Sequence, residues 1–160
     1  MSIIKSYYGS NGQAITVTLA SLTNGSARAS TVVDNTTNLF LDALVFLNVK
    51  TGASGTGATG HVDIYTYGTV DGGTNYTENA SGSDSSITLV SPSNARLIGI
   101  VNAVANAVTY KGGPFSVAAA FGGVLPDHWG LIIVNSSGGT LDGTEASHLK
   151  VYQGIQNQVV

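Results

Sequence analysis

The chain has no cysteine, one methionine and only three prolines in 160 residues. Without thiols it forms no disulfide and offers no thiolate to zinc, and the missing cysteine leaves the compartment open, since proteins of either redox environment do without it. Charge is scarce as well: six Lys and Arg and nine Asp and Glu make up 9% of the residues, where an average soluble domain carries about 25%. No run of basic residues occurs, so neither nucleic acid nor an anionic membrane surface is an expected partner. No stretch approaches the roughly 20 apolar residues of a membrane span, and MSIIKSYYGSNG at the start lacks the apolar core of a signal peptide. The expectation is synthesis in a cytoplasm without classical secretion.

What the sequence does have is glycine, at 21 residues, and an ordinary apolar fraction of 42%. A chain of this length forms one core and buries roughly two thirds of its unfolded surface. With so few charges its exterior must be Ser, Thr, Asn, Gln and Gly. Such a surface is poorly protected against association, which predicts that it sits against other protein.

The apolar pattern is that of short strands. Ala14 to Ala20 alternates, with Ile15, Val17 and Leu19 on one face, as a half-buried antiparallel strand does. Thr23, Asn24 and Gly25 make a turn, and a strand follows from Ala27 to Val33. Leu39 to Val49 reads as a long buried strand, and the Gly52 to Gly60 tract as a loop tip. His61 to Val70 alternates again. Asn75 to Ser86 is polar enough to be a long exposed connection. Ile87 to Val90 is a short strand, Ala95 to Asn102 and Ala105 to Tyr110 form a hairpin around Ala103 to Asn106, and Leu149, Val151, Gln153 and Ile155 mark a closing strand.

The most structured stretch is Lys111 to Val134, which holds two of the prolines and the single tryptophan. Gly112, Gly113 and Pro114 are expected to end an extended segment. Ser116 is placed to cap one short helical turn near 116–122, stopped by Gly122. The run Trp129, Leu131, Ile132, Ile133 and Val134 is apolar without alternation, as a central strand buried on both faces is. Eight to ten short strands without a βαβ rhythm predict an all-β fold: an antiparallel β-sandwich, jelly-roll-like, spanning 14–160. Residues 1–13 carry Ile3, Ile4, Tyr7 and Tyr8. They are read as an edge strand of the same domain or an arm on a neighbouring subunit, and these four residues are the expected subunit contacts.

Candidate chemistry is thin. His61 with Asp63, and Asp127 with His128, pair imidazole and carboxylate, but the spacing matches no zinc pattern. Asp71, Gly72, Gly73 and Asn75 lack the alternating oxygen ligands of a calcium loop and read as a turn. The glycine tract has no GK[ST], and no serine lies in G-x-S-x-G. Tyr65, Tyr67, Tyr76, Tyr110 and Trp129 suit either a sugar-binding face or, as aromatics in β domains usually do, the core. No catalytic residue, metal or cofactor is expected, and the chain is read as a non-enzyme.

The segment Leu39 to Val49, the loop Tyr65-x-Tyr67-Gly68-Thr69-x-Asp71-Gly72-Gly73, and the run from Tyr110 to Pro126 with Trp129-Gly130 resemble small virion structural proteins of tailed bacteriophages. The jelly-roll head decoration, or cement, proteins are the most similar of these, and the likeness runs from about Ala14 onward. The resemblance implies a protein made in the host cytoplasm and bound to the outer capsid surface of the virion. There it would bridge subunits of the major capsid protein, its partner, as a homodimer or homotrimer. The competing class is a receptor- or carbohydrate-binding β-sandwich module of a phage tail or fibre. A flat apolar patch with an extended N-terminal segment favours the first, and a solvent-facing aromatic cluster the second.

Overall fold

The computed structural model describes residues 2–160. Eleven strands alternate between two antiparallel sheets: β1 (Ile4–Tyr8), β2 (Gln13–Ala14), β3 (Ala27–Ala29), β4 (Val33–Asp34), β5 (Asp42–Lys50), β6 (His61–Thr69), β7 (Ser85–Ile87), β8 (Arg96–Asn102), β9 (Thr109–Ser116), β10 (His128–Ser136) and β11 (Leu149–Val159). One sheet runs β1-β11-β5-β9, with β2 also on β11. The other runs β7-β3-β10-β6-β8, with β4 also on β10. With β1 and β2 counted as one broken strand, this is the double Greek-key order of a jelly roll.

Side-chain alternation builds the core. In β5, Ala43, Val45, Leu47 and Val49 are buried and face Val62, Ile64, Trp129, Leu131 and Ile133 of the opposite sheet. Trp129 sits edge-on to Tyr152 of β11, ring centroids 5.3 Å apart, and ties the two sheets together. As its unbroken apolar pattern predicts, β10 is central and buried on both faces: Ile132 belongs to a second cluster with Ala29, Tyr67, Ala80 and Ala95.

That second cluster corrects one expectation. Residues 75–86 are not an exposed connection but part of a long loop lying over the outer face of the β10 sheet. Their polar sequence conceals this, because the inward positions Tyr76, Glu78 and Ala80 alternate with exposed polar residues but include a carboxylate and a single methyl in place of large apolar side chains. Two strands are also more broken than expected. Ile15, Val17 and Leu19 are buried in alternation as predicted, yet the ladder stops at Ala14. The strand predicted over 27–33 is divided at Ser30, whose hydroxyl accepts the Leu131 N–H and whose carbonyl accepts the Tyr67 hydroxyl.

Gly112, Gly113 and Pro114 lie inside β9 rather than ending it. They are accommodated by a register shift opposite Val45 and Leu47, at the sheet edge, where a proline costs no ladder bond. The short helical turn is present as a 3-10 turn over Ala118–Phe121. Ser116 Oγ accepts the Ala119 N–H, and Gly122 at φ 82° closes it.

Trp129 is almost wholly enclosed, and replacing so large a side chain leaves a cavity that the flanking strands cannot close. Trp129→Ala is expected to lower unfolding free energy by about 3–5 kcal/mol, read from urea denaturation. A loss below about 1 kcal/mol would show that the two sheets do not depend on it.

Candidate docking surface

The two sheets differ in what covers their outer faces. The loop across 71–95 lies over part of one, leaving Leu97 and Ile100 of β8 half-exposed; on the other, Leu44 and Phe46 of β5 and Val151 and Ile155 of β11 belong to neither apolar cluster and are half-buried, and Leu149 is exposed. The register sets Phe46 directly beside Val151, with Leu44 beside Gln153, Asn48 beside Leu149 and Asp42 beside Ile155. Asp42 is engaged by the Ser116 hydroxyl and the Ala118 N–H. Lys111, opposite Asn48 on β9, is the nearby cation. The result is a largely uncharged face with the Lys111 cation at its rim.

This face continues onto a ribbon. Pairing of β11 with β5 ends at Ile155, while β11 runs on to Val159 with only β1 beside it. The base of the ribbon is fixed by close packing. The Phe40 ring lies against Gly9 and Gly154, where a Cβ on either glycine would strike it. The backbone of Phe40 is held from both sides by the buried Asn35 amide. Gln153 Nε2 donates to the Gly9 carbonyl at 3.0 Å.

Beyond that clamp the side chains stand in solvent: Ile3 is 55% exposed, Ile4 69%, Tyr7 48% and Tyr8 58%. Opposed residues share a face. Ile4 with Val159 and Tyr8 with Ile155 therefore extend the bare sheet face, while Tyr7 with Gln156 and Ile3 with Val160 point to the other side. The four contact residues expected from the sequence divide between the two sides of the ribbon. Leu44, Phe46, Val151 and Ile155 escaped sequence reasoning. The signal for Leu44 and Phe46 was present in LFLDALVFLNV, which reads as a long buried strand, whereas Val151 and Ile155 read only as part of an alternating closing strand.

The titratable groups are engaged in structure. Glu78, buried in the covering loop at φ 61°, accepts the backbone N–H groups of Val90, Asn94 and Ala95. Burial opposes its ionisation, but these donors outweigh it and hold its pKa below the usual carboxylate range. Asp84 is likewise penalised by burial, and the Arg28 and Thr18 donors bring its pKa down. Glu145 follows the same pattern, with burial overcome by Lys150 and by the Ala20 and Leu19 N–H groups. Asp71 is held well below its ordinary value by the Thr69 hydroxyl and by donors from Asn75 and Thr74, so its loop is a knotted turn. The Thr144 N–H and Lys50 lower Asp142 to about 2.

The histidines do not converge. His61, 3.5 Å from Asp63, pairs with Ser136, whereas His128, 3.5 Å from Asp127, pairs with Thr69 at the opposite end of the same two strands. His148 is buried, accepting the Lys50 N–H at Nδ1 with Nε2 at the Asp142 carbonyl. Among the described residues no three His, Asp or Glu side chains are grouped as metal ligands. The aromatics do not form a platform either: Trp129 and Tyr67 are buried, and burial raises the Tyr67 hydroxyl to about 12. One cleft, about 570 Å³, is lined by hydroxyls such as Thr18, Ser21, Thr23 and Ser86, with Arg28 already paired to Asp84. Among the described residues no helix is long and apolar enough to cross a membrane.

Carboxylates whose pKa is depressed on folding stabilise the protein above their unfolded values, and that contribution is lost as pH falls through the folded ones. The thermal midpoint should therefore hold from neutrality to about pH 5 and fall steeply below about pH 4. Glu78→Gln, which cannot accept three N–H groups equally well, is expected to cost about 1–3 kcal/mol at neutral pH and to flatten that decline. A midpoint unchanged between neutral and strongly acid pH would show that these carboxylates do not hold the loops.

Comparison with protein-family models, with curated proteins and with solved structures finds no match to this chain.

Proposed function

We propose that the protein is a non-enzymatic virion component that binds the outside of an assembled phage capsid and stabilises it by bridging neighbouring subunits of the major capsid protein. The observation that carries this reading is the half-exposed apolar face of Leu44, Phe46, Val151 and Ile155, continued by the exposed Tyr8 and Ile4 on the ribbon. A flat, nearly uncharged sheet face suits a broad protein surface. It does not suit a small ligand, which needs a concave pocket. A carbohydrate-binding module would require a solvent-facing aromatic platform, and here the tryptophan and the central tyrosine are spent on cohesion.

The energetics of such a role are those of linkage. A protein that binds the assembled shell more tightly than free subunits stabilises the shell by mass action. Modest apolar contacts suffice when a ribbon and a sheet face engage together, because the second contact forms at high effective concentration. The protein would accumulate in the host cytoplasm and end on the outer capsid surface.

The test is co-sedimentation with purified capsids lacking the protein, followed by cryo-electron microscopy of decorated particles. Phe46→Lys with Val151→Lys should abolish attachment with little change in the melting midpoint, because neither side chain belongs to a core cluster. Deleting residues 1–13 should weaken attachment while the sandwich stays folded, since Leu149 to Ile155 keep their pairing with β5. Undiminished occupancy with both variants would overturn the reading.

A further inference from the structure

β1 differs from the other sheet edges in having almost nothing that discourages pairing. Natural edges are blunted by short strands, prolines or bulges. β7 is three residues long, β8 carries a register shift opposite Ile64 and Tyr65 of β6, and β9 has both Pro114 and a shift. β1 has five regular residues, IKSYY, with Lys5 as its one charged side chain. A two-stranded ribbon without further support is at best marginal in water.

The direction of its free backbone groups follows from the ladder. Ile3 and Val160 exchange both hydrogen bonds, and Gly9 donates to Gly154. Antiparallel pairs alternate between bonded and non-bonded, so Lys5 and Tyr7 bond to β11 while the N–H and C=O groups of Ile4, Ser6 and Tyr8 point away. Among the described residues nothing pairs with that side.

We infer that two copies of this chain join antiparallel along β1 about a two-fold axis at Ser6, forming one continuous sheet across the dimer. Three registers present bonded pairs at these outward groups. An axis at Lys5 sets the two lysines directly opposite each other, which is unfavourable. An axis at Tyr7 brings in Ser10, where the chain leaves the strand for the turn at Asn11 and Gly12. The axis at Ser6 uses the whole strand. Ile4 lies beside Tyr8 of the second copy on one side, and on the other Lys5 lies beside Tyr7 of the second copy, a cation next to an aromatic face.

The pairing is isologous and therefore closed. The joined sheet ends at both sides in β9, which Pro114 blunts, so the assembly stops at two copies. The contact uses the backbone edge and leaves the bare sheet face free, so it does not depend on capsid binding.

The cysteine-free chain permits a direct test. The wild-type protein should show twice the 16.2 kDa chain mass by size-exclusion chromatography with light scattering. Ser6→Pro removes an N–H that points away from β11, so it should halve the mass with the melting curve unchanged. At the two-fold axis, paired Ser6 residues have Cα atoms about 5.5 Å apart, within disulfide range, so Ser6→Cys should cross-link fully under mild oxidant. Lys5→Cys should not, because its symmetry mate lies diagonally about 7–8 Å away. A wild-type protein of single-chain mass up to millimolar concentration overturns the inference. So does a Ser6→Pro protein that stays dimeric, or equal cross-linking by the two cysteine variants.

Discussion

A buried backbone N–H that leaves a ladder still needs an acceptor, and in this protein much of the ionised side-chain inventory goes to meeting that need. The segment from Ile15 to Ala20 is buried in alternation but has no regular partner strand, and its donors go instead to Lys150, Asp84 and Glu145. The covering loop is closed by Glu78 on three N–H groups, and the 3-10 turn is fastened to β5 by Asp42. Each carboxylate fixes an irregular segment by accepting N–H groups that no neighbouring strand serves. Few charges remain for the exterior, so the lack of surface charge and the order of the loops share one cause.

The sandwich is consequently two-sided. One sheet is clothed by the chain's own loop, and the apolar residues of its outer face, Ile132, Tyr67 and Ala29, are completed by Ala80 and Ala95. The other sheet has comparable apolar residues in Leu44, Phe46, Val151 and Ile155 without such a cover. The clamp of Asn35, Phe40, Gly9 and Gly154 then aims the ribbon as an extension of the uncovered face.

Much of this was legible in the sequence where periodicity carries the information. The strands over 61–69, 96–102 and 128–136, the central position of β10 and the turn capped by Ser116 and ended by Gly122 follow from alternation, unbroken apolarity and turn chemistry. What was not legible depends on partners distant in sequence. Nothing local shows that Glu78 will face inward, since its role is set by Val90, Asn94 and Ala95. In the middle of β5 nothing local distinguishes a half-exposed second face from a buried one, because Ala43 to Leu47 is apolar at every position. The glycines at 9 and 154 acquire meaning only once Phe40 lies between them. Ile3, Ile4, Tyr7 and Tyr8 were visible as apolar excess, but their division between two sides of a ribbon required the register with β11.

The pairing of β1 with β11 also sets an order of events. Ile4 meets Val159, so β1 cannot find its partner until the ribosome has added the 155 residues from Lys5 to Val159. At ordinary elongation rates that delay is roughly ten to thirty seconds. Contacts at such sequence separation form late in any case, because the loop they close is the longest in the chain. The ribbon thus depends on β11: without it β1 has no strand to hold it in the position from which it would join a neighbour.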